Sequence, residues 1–259
     1  MKHFKEINRH SLCIETIGPD DGPVVIFLHH GLGAIHSWKG QISAFSQAGY
    51  QVITYDRWGH GKSAPRENYA MPYFEPDLAD LEAILSEYNH RQVAFIGHSD
   101  GANIAMLYTL AHPEQATCLV VVAAHIYIEP KMISGIQSVR ESFENDQRFR
   151  SGMQRVHGEN TEPVFWGWFN GWTNPAIEDW DMRAEIKRIS SPTLVVQGIE
   201  DEHASHQHAR DLADSIPGAE LWLVPGAGHM LPQQMPDNFN SRLLQYLDQV
   251  ITVSTTEEN

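Results

Sequence analysis

Apolar positions along the chain fall into two spacings, and their alternation predicts most of the architecture. Phe4 to Ile17 alternates polar and apolar residues, with Asn8-Arg9-His10 between its halves, and reads as an antiparallel hairpin at a sheet edge. Val24–Leu28, Val52–Tyr55, Val93–Ile96 and Leu119–Ala123 are short continuous apolar runs, the pattern of strands covered on both faces. Helical segments lie between them. Ser37 to Gly49 ends at glycine, Pro76 to Asn89 carries Leu78, Leu81, Ile84 and Leu85 at helical spacing, and Ala102 to Leu110 stops before Pro113. Strands alternating with helices call for a parallel sheet with helices on both faces.

The alternation then breaks. His125 to Arg188 holds no convincing strand, but several helix-like pieces and the aromatic run Phe165-Trp166-Gly167-Trp168-Phe169-Asn170-Gly171-Trp172, with Trp180 beyond. It resumes with a strand at Thr193–Gln197, a helix near Ser205–Ser215, a strand near Glu220–Val224 and a helix near Asn238–Val250. The interruption is far longer than an ordinary connection of roughly 4–6 residues. The expected organisation is an α/β core in two parts, residues 1–124 and 189–251, with a helical cap at 125–188 inserted over the carboxyl edge of a mostly parallel eight-stranded sheet. Residues 252–259 are polar and read as a flexible tail. No internal repeat is evident.

Composition narrows the function. The 259 residues are ample for one large core, and a formal charge of -15 argues against nucleic-acid binding, since nothing presents a basic face. The acidity serves solubility and, more weakly, favours cationic substrates. Cys13 and Cys118 are the two cysteines, far apart and each in a strand-like segment, so they read as buried free thiols. Met1 to Gly18 has no signal-peptide core and no run is long enough to span a membrane, so the expectation is a soluble cytoplasmic protein, monomer or homodimer, with a small-molecule partner.

The chemistry centres on Gly97-His98-Ser99-Asp100-Gly101, placed between a buried strand and a helix. Strand, G-x-S-x-G, helix is the setting of a nucleophile elbow, in which a tight turn frees a serine hydroxyl from its backbone. The Asp100 amide then points to the same space, and the helix amino end adds partial positive charge. A serine is a poor nucleophile without a base. His229, in Pro225-Gly226-Ala227-Gly228-His229-Met230 after the last strand, is the candidate, and among fifteen histidines that loop position selects it. Gly198-Ile199-Glu200-Asp201-Glu202 follows the penultimate strand; spacing leaves three acids, of which Asp201 is the choice and Glu200 and Glu202 are expected to be solvated. Asp100 and Leu32, the latter in His30-Gly31-Leu32-Gly33, are the candidate amide donors to an oxyanion. Glu202-His203-Ala204-Ser205-His206-Gln207-His208 places histidines close in sequence, with His203 and His206 on a shared helix face, but without a third metal ligand.

These segments together resemble the α/β-hydrolase superfamily from about Phe4 to Val250. His30-Gly31-Leu32-Gly33, Asp56-Arg57-x-Gly59-x-Gly61-x-Ser63, Gly97-x-Ser99-x-Gly101, Gly198-x-x-Asp201 and Gly228-His229 carry the resemblance. Within it, Ser99-Asp100-Gly101 and the loop Ala124-His125-Ile126-Tyr127 are similar to the esterase branch that includes valacyclovir hydrolase. The resemblance implies a serine hydrolase of carboxylic esters working by a Ser99–His229–Asp201 triad through an acyl-enzyme, with no cofactor and no metal. It also implies that Asp100 meets a substrate ammonium; the alternative is a local role at the helix start. Asp100, Tyr127, Trp166, Trp168 and Met230 are the expected substrate-binding residues, about half of the cap tryptophans being simply buried. A C–C bond hydrolase of vinylogous diketones on the same triad, and a ligand receptor on a hydrolase scaffold, are the rival readings.

Overall fold

The computed structural model describes residues 2–67, 69, 74–88 and 92–257. Eight strands form one sheet: β1 Lys2–Ile7, β2 His10–Ile17, β3 Val24–Leu28, β4 Gln51–Tyr55, β5 Val93–His98, β6 Ala116–Val122, β7 Thr193–Gly198 and β8 Glu220–Val224, in the order β1-β2-β4-β3-β5-β6-β7-β8. β1 and β2 pair antiparallel with each other, and β2 pairs antiparallel with β4; the remaining pairs are parallel. Asn8 and Arg9 both sit at positive φ, the backbone that joins two twisted strands through a two-residue turn.

The continuous apolar runs are explained by the pleat. Val24, Ile26 and Leu28 of β3 point into one core layer and Val25 and Phe27 into the other; Phe95 and Ile96 of β5 divide the same way. Both faces are therefore buried under helices. α1 Lys39–Gln47 and α9 Pro236–Glu257 cover one face, while α2 Phe74–Leu85, α3 Asp100–Ala111 and α7 Gln207–Ser215 contribute to the other. Both cysteines are buried and free, and burial pushes the Cys13 thiol up to about 11 and Cys118 to about 12, which keeps them as unreactive thiols.

Between β6 and β7 the chain forms α4 Pro130–Asn145, α5 Gln147–His157 and α6 Thr161–Trp172. Asp146 caps α5 by accepting from the Arg148 amide at 2.7 Å, and Gly158 at φ 56° ends it. Among the described residues, the strand-like contact in this segment is an isolated bridge of Tyr127 with Asp181. Three boundaries differ from the sequence reading. A short 3-10 turn, Ile35–Trp38, precedes α1 because the Asp56 carboxylate captures the Ile35 amide at 2.7 Å. A one-turn helix, α8 Leu231–Gln234, follows β8, too short to leave a periodic signal. α9 runs through Glu257, so residues 252–257 continue a helix rather than forming a tail. The expected helix end at Asn89 and residues 258–259 lie outside the described residues. Among the described residues no helix is long and apolar enough to cross a membrane.

β5 and α3 meet so closely that side chains are excluded. A Cβ on Gly97 would stand 2.3 Å from the Gly101 carbonyl oxygen, and one on Gly101 would stand 2.1 Å from that of Leu28. Backbone on both sides leaves nothing that can yield cheaply. Gly101→Ala is expected to cost about 1–3 kcal/mol through overpacking, seen as a fall of about 2–12 °C in thermal midpoint at about 2–4 °C per kcal/mol; an unchanged midpoint would refute the close packing.

Candidate active site

Ser99 links the last residue of β5 to the first of α3, with φ 55° and ψ −119°. A non-glycine residue at positive φ is strained and persists only where its surroundings over-determine it. Here the Ser99 amide donates to the Val122 carbonyl at 2.8 Å, and its own carbonyl accepts from the amides of Ala102 (2.8 Å) and Asn103 (3.1 Å). The side chain is thus presented at the end of a central strand, on the wall of a cavity of about 290 Å³ that it shares with His229, Leu32 and Asp100.

His229 lies in the loop between β8 and α8. Its Nδ1 is 3.0 Å from Asp201 Oδ2, and both residues are buried. Asp201 is held on all sides: Oδ1 accepts from the amides of His203 (2.8 Å) and Ala204 (3.1 Å), and Oδ2 accepts from Gln197 Nε2 (3.2 Å). Lys131, in the first turn of α4, donates to the carbonyls of Asp201 (2.6 Å) and Ala204 (3.1 Å), tying the inserted segment to this loop. Burial opposes the Asp201 charge, but the His229 charge and the surrounding hydrogen bonds prevail and hold its carboxyl well below the usual range. Burial likewise opposes a charged His229, and the Asp201 charge and hydrogen bond outweigh it, so the His229 pKa is raised. With Asp201 on Nδ1, the imidazole is oriented to offer Nε2 to a proton donor.

The rest of the His229 shell is unusually rich in imidazoles. His98 Nε2 donates to the His229 carbonyl at 2.9 Å. The rings of His98, His125 and His203 lie 5.1, 5.7 and 4.7 Å from the His229 ring, centroid to centroid. Burial pushes His98 down to about 3, His203 to about 4 and His125 well below its ordinary value, so these neighbours are neutral. Glu200 and Glu202 are both solvent-exposed, as expected, and Glu202 in addition lines the cavity and accepts from the His229 amide through Oε2 at 3.0 Å.

The cavity roof comes from the insertion. α4 contributes Met132, Ile136 and Val139, α5 contributes Phe149 and Met153, and α6 contributes Trp168 and Trp172, each helix presenting an i, i+4 pair. Trp168, Met230 and Asp100 are where the sequence reading places them. Tyr127 and Trp166 are not. Tyr127 stacks on His208 at 4.0 Å and faces a separate surface recess, because its loop turns outward after Ile126. Trp166 donates to Glu162 and packs edge-on against Phe143 and Phe169, on the side of α6 turned away from the cavity. The sequence reading missed the lining contributed by α4 and α5, although the pairs Met132/Ile136 and Phe149/Met153 are visible at helical spacing. The three clustered histidines also diverge. His203 lies before α7, not on it, and packs on His229; His206 stands at the N-cap position of α7 without a side-chain capping bond; His208 packs under Tyr127. Among the described residues no group of three or more His, Cys, Asp or Glu side chains is arranged to hold a metal ion.

Asp100 is already engaged. Oδ1 accepts from Trp172 Nε1 at 2.9 Å, and Oδ2 lies 3.6 Å from Arg57 Nη2. Arg57 continues to Asp77, which also takes Arg66 at 3.0 Å, so two buried carboxylates are balanced by two guanidinium groups. Arg57 belongs to the Asp56–Ser63 loop, whose conformation is set by Asp56 accepting from the Lys62 amide at 2.8 Å. Breaking such a network from one side strands the other charges. Arg57→Met is expected to destabilise the fold by about 3–5 kcal/mol, measured by chemical denaturation; a loss below about 1 kcal/mol would mean that the pair is not desolvated as its burial implies.

A doubly covered, mostly parallel sheet, with a serine at a strained strand-to-helix turn and a histidine–aspartate pair on the loops of its last two strands, defines the α/β-hydrolase class. The chain belongs to the alpha/beta hydrolase family, whose profile matches residues 25–242. It is similar to the proline iminopeptidase PfmaB of Pestalotiopsis fici, 25% identical over 96% of this chain and 100% of that one. It is also similar to the bifunctional esterase/perhydrolase DCH of Acinetobacter calcoaceticus, 24% identical over 89% and 93%. An esterase of Exiguobacterium antarcticum shares the fold with a TM-score of 0.79 at 20% identity, covering 96% of this chain and 100% of that one.

Proposed function

We propose that the protein is a carboxylic ester hydrolase that works through a Ser99–His229–Asp201 triad. His229 Nε2 takes the Ser99 proton as the hydroxyl attacks the acyl carbon. The amides of Asp100 and Leu32 hold the oxyanion, the first reinforced by the amino end of α3. The imidazolium passes its proton to the departing alcohol oxygen, leaving an acyl-Ser99. Water, deprotonated by His229, attacks that acyl carbon, and the serine leaves with the proton as the acid is released. The observation that carries this reading is the 3.0 Å contact of buried Asp201 with His229, which lines the same cavity as strained Ser99. The helices at 130–172 act as the cap, and their apolar side chains receive the uncharged part of the ester.

Two features sharpen the substrate class. Among the described lining residues there is no lysine or arginine, while Glu202 adds a carboxylate. A ring-cleavage diketone bearing a carboxylate is therefore poorly matched, which favours esters over the C–C bond reading. Asp100 is compensated by Arg57 and Trp172, so it is a weak receptor for a free ammonium, and the amino-ester preference implied by the valacyclovir-hydrolase branch is not proposed. The same point weighs against an iminopeptidase reading. Steady-state hydrolysis of p-nitrophenyl acetate, butyrate and octanoate beside amino-acid esters tests all of this. Plain esters are expected to turn over, without a gain for a free amino group. No turnover of any ester by folded protein would refute the esterase reading, and a strong amino-ester preference would restore Asp100 as receptor.

A further inference from the structure

His125 lines this cavity, and the proposed mechanism uses neither of its ring nitrogens. It follows β6 after Ala123, a non-glycine at φ 49°, and its backbone is fixed by Asn103 Nδ2 donating to its carbonyl at 2.6 Å. The residue is 7% exposed and lines the cavity, and both ring nitrogens are buried without a hydrogen-bond partner. The ring lies nearly flat against His229, 27° between planes, and is tilted against Trp172 at 5.7 Å. The nearby His208 is turned toward other groups. Its Nδ1 accepts from the Ile126 amide at 3.2 Å and its Nε2 faces Glu129 at 3.3 Å. Buried polar groups are rarely left unpaired, because each one forfeits its hydration without compensation. An unpaired imidazole on the wall of a ligand cavity is therefore completed most economically by the ligand.

We propose that His125 is a specificity-determining residue that hydrogen-bonds an uncharged oxygen, hydroxyl or carbonyl, carried by the substrate beside its ester group. This rests on the esterase reading above. Its ring is neutral and offers one N–H donor and one lone pair, so a hydroxyl satisfies either nitrogen and a carbonyl satisfies the donor. A carboxylate is disfavoured because Glu202 lines the same cavity and no lysine or arginine is among its described lining residues. The stacking distance sets the oxygen near the reacting centre, while the apolar remainder extends toward Met132, Ile136 and Phe149. Discrimination arises because an analogue lacking the oxygen leaves the imidazole unpaired in the complex.

The experiment compares methyl 3-hydroxybutanoate and methyl acetoacetate with methyl 3-methylbutanoate, a near-isostere in which methyl replaces hydroxyl, by acid release in a pH-stat. Wild type is expected to favour at least one oxygenated ester by about tenfold in kcat/KM, the scale of one net hydrogen bond. His125→Phe, which keeps the ring's shape and stacking, is expected to bring that ratio to about one; the ratio is read within each variant, so a loss common to both esters cancels. His125→Asn, which retains a donor and an acceptor, is expected to keep part of the preference and guards against a folding defect in the first variant. The pH profile of kcat/KM on the 3-methyl ester stays in place in both variants; a displaced profile with an unchanged ratio would mean that His125 serves only to position His229, and would overturn the proposal. Ser99-dependent turnover without preference in wild type would overturn it and leave the esterase reading intact. Absence of turnover of every ester would overturn both.

Discussion

Ser99→Ala is expected to lower kcat for p-nitrophenyl butyrate by about 10⁶-fold, the scale on which removal of a triad nucleophile acts. In the proposed mechanism the loss falls on the chemical step, because the serine oxygen is the atom that would bond to the acyl carbon. KM should move little, since the apolar wall from α4, α5 and α6 is untouched. A fluorophosphonate probe should label the wild type and leave the variant unlabelled. The fold is expected to survive with little change in thermal midpoint. The strain at φ 55° is a property of the backbone, fixed by the Ser99 amide bond to Val122 and by the glycines at 97 and 101, and alanine fits the same space. Turnover persisting within about tenfold of wild type would show that Ser99 is not the nucleophile.

Asp201→Asn carries the second largest expected effect, about 10⁴-fold in kcat. The amide cannot hold the proton on His229 Nδ1 with the same preference, and it no longer stabilises the imidazolium formed as Ser99 attacks. The pH dependence supplies the independent check. In the wild type Asp201 raises the His229 pKa despite burial, so kcat/KM should fall with acid along a limb displaced upward from that of an ordinary imidazole. In the variant the opposing burial is left with only the weaker charges of Glu202 and Asp100 against it, so the limb should move to lower pH. A variant whose acid limb stays in place would mean that a different carboxylate governs His229. Glu202 would then be the first to replace, since it already holds the His229 amide.

The strands and helices were legible because their signals are local. Val24–Leu28 and Val93–Ile96 are apolar at every position since the pleat sends alternate residues into two buried layers. The turn at Ser99 was legible for the same reason: Gly97 and Gly101 mark a backbone approach that excludes Cβ, whatever the surroundings. Asp201 was less secure, since three adjacent acids share one loop. What selects it is that its oxygens converge on His203, Ala204, Gln197 and His229, contacts that depend on how the loop closes.

By itself, then, the amino-acid sequence determined the doubly covered sheet, the interruption between two of its strands, and the serine, histidine and carboxylate candidates with the loops that carry them. Periodicity, chain order and glycine placement are properties of a few consecutive residues, and they persist in any arrangement of the whole. The tertiary structure alone decided which side chains share the cavity. It turned Trp168 and Trp172 inward and Trp166 outward on one helix, sent Tyr127 to another recess, and brought Arg57 and Trp172 onto Asp100. It also set His125 beside His229 with both nitrogens unpaired. Those outcomes depend on the relative placement of segments up to 100 or more positions apart, which is fixed only when the insertion packs onto the sheet and each buried polar group finds, or fails to find, its partner.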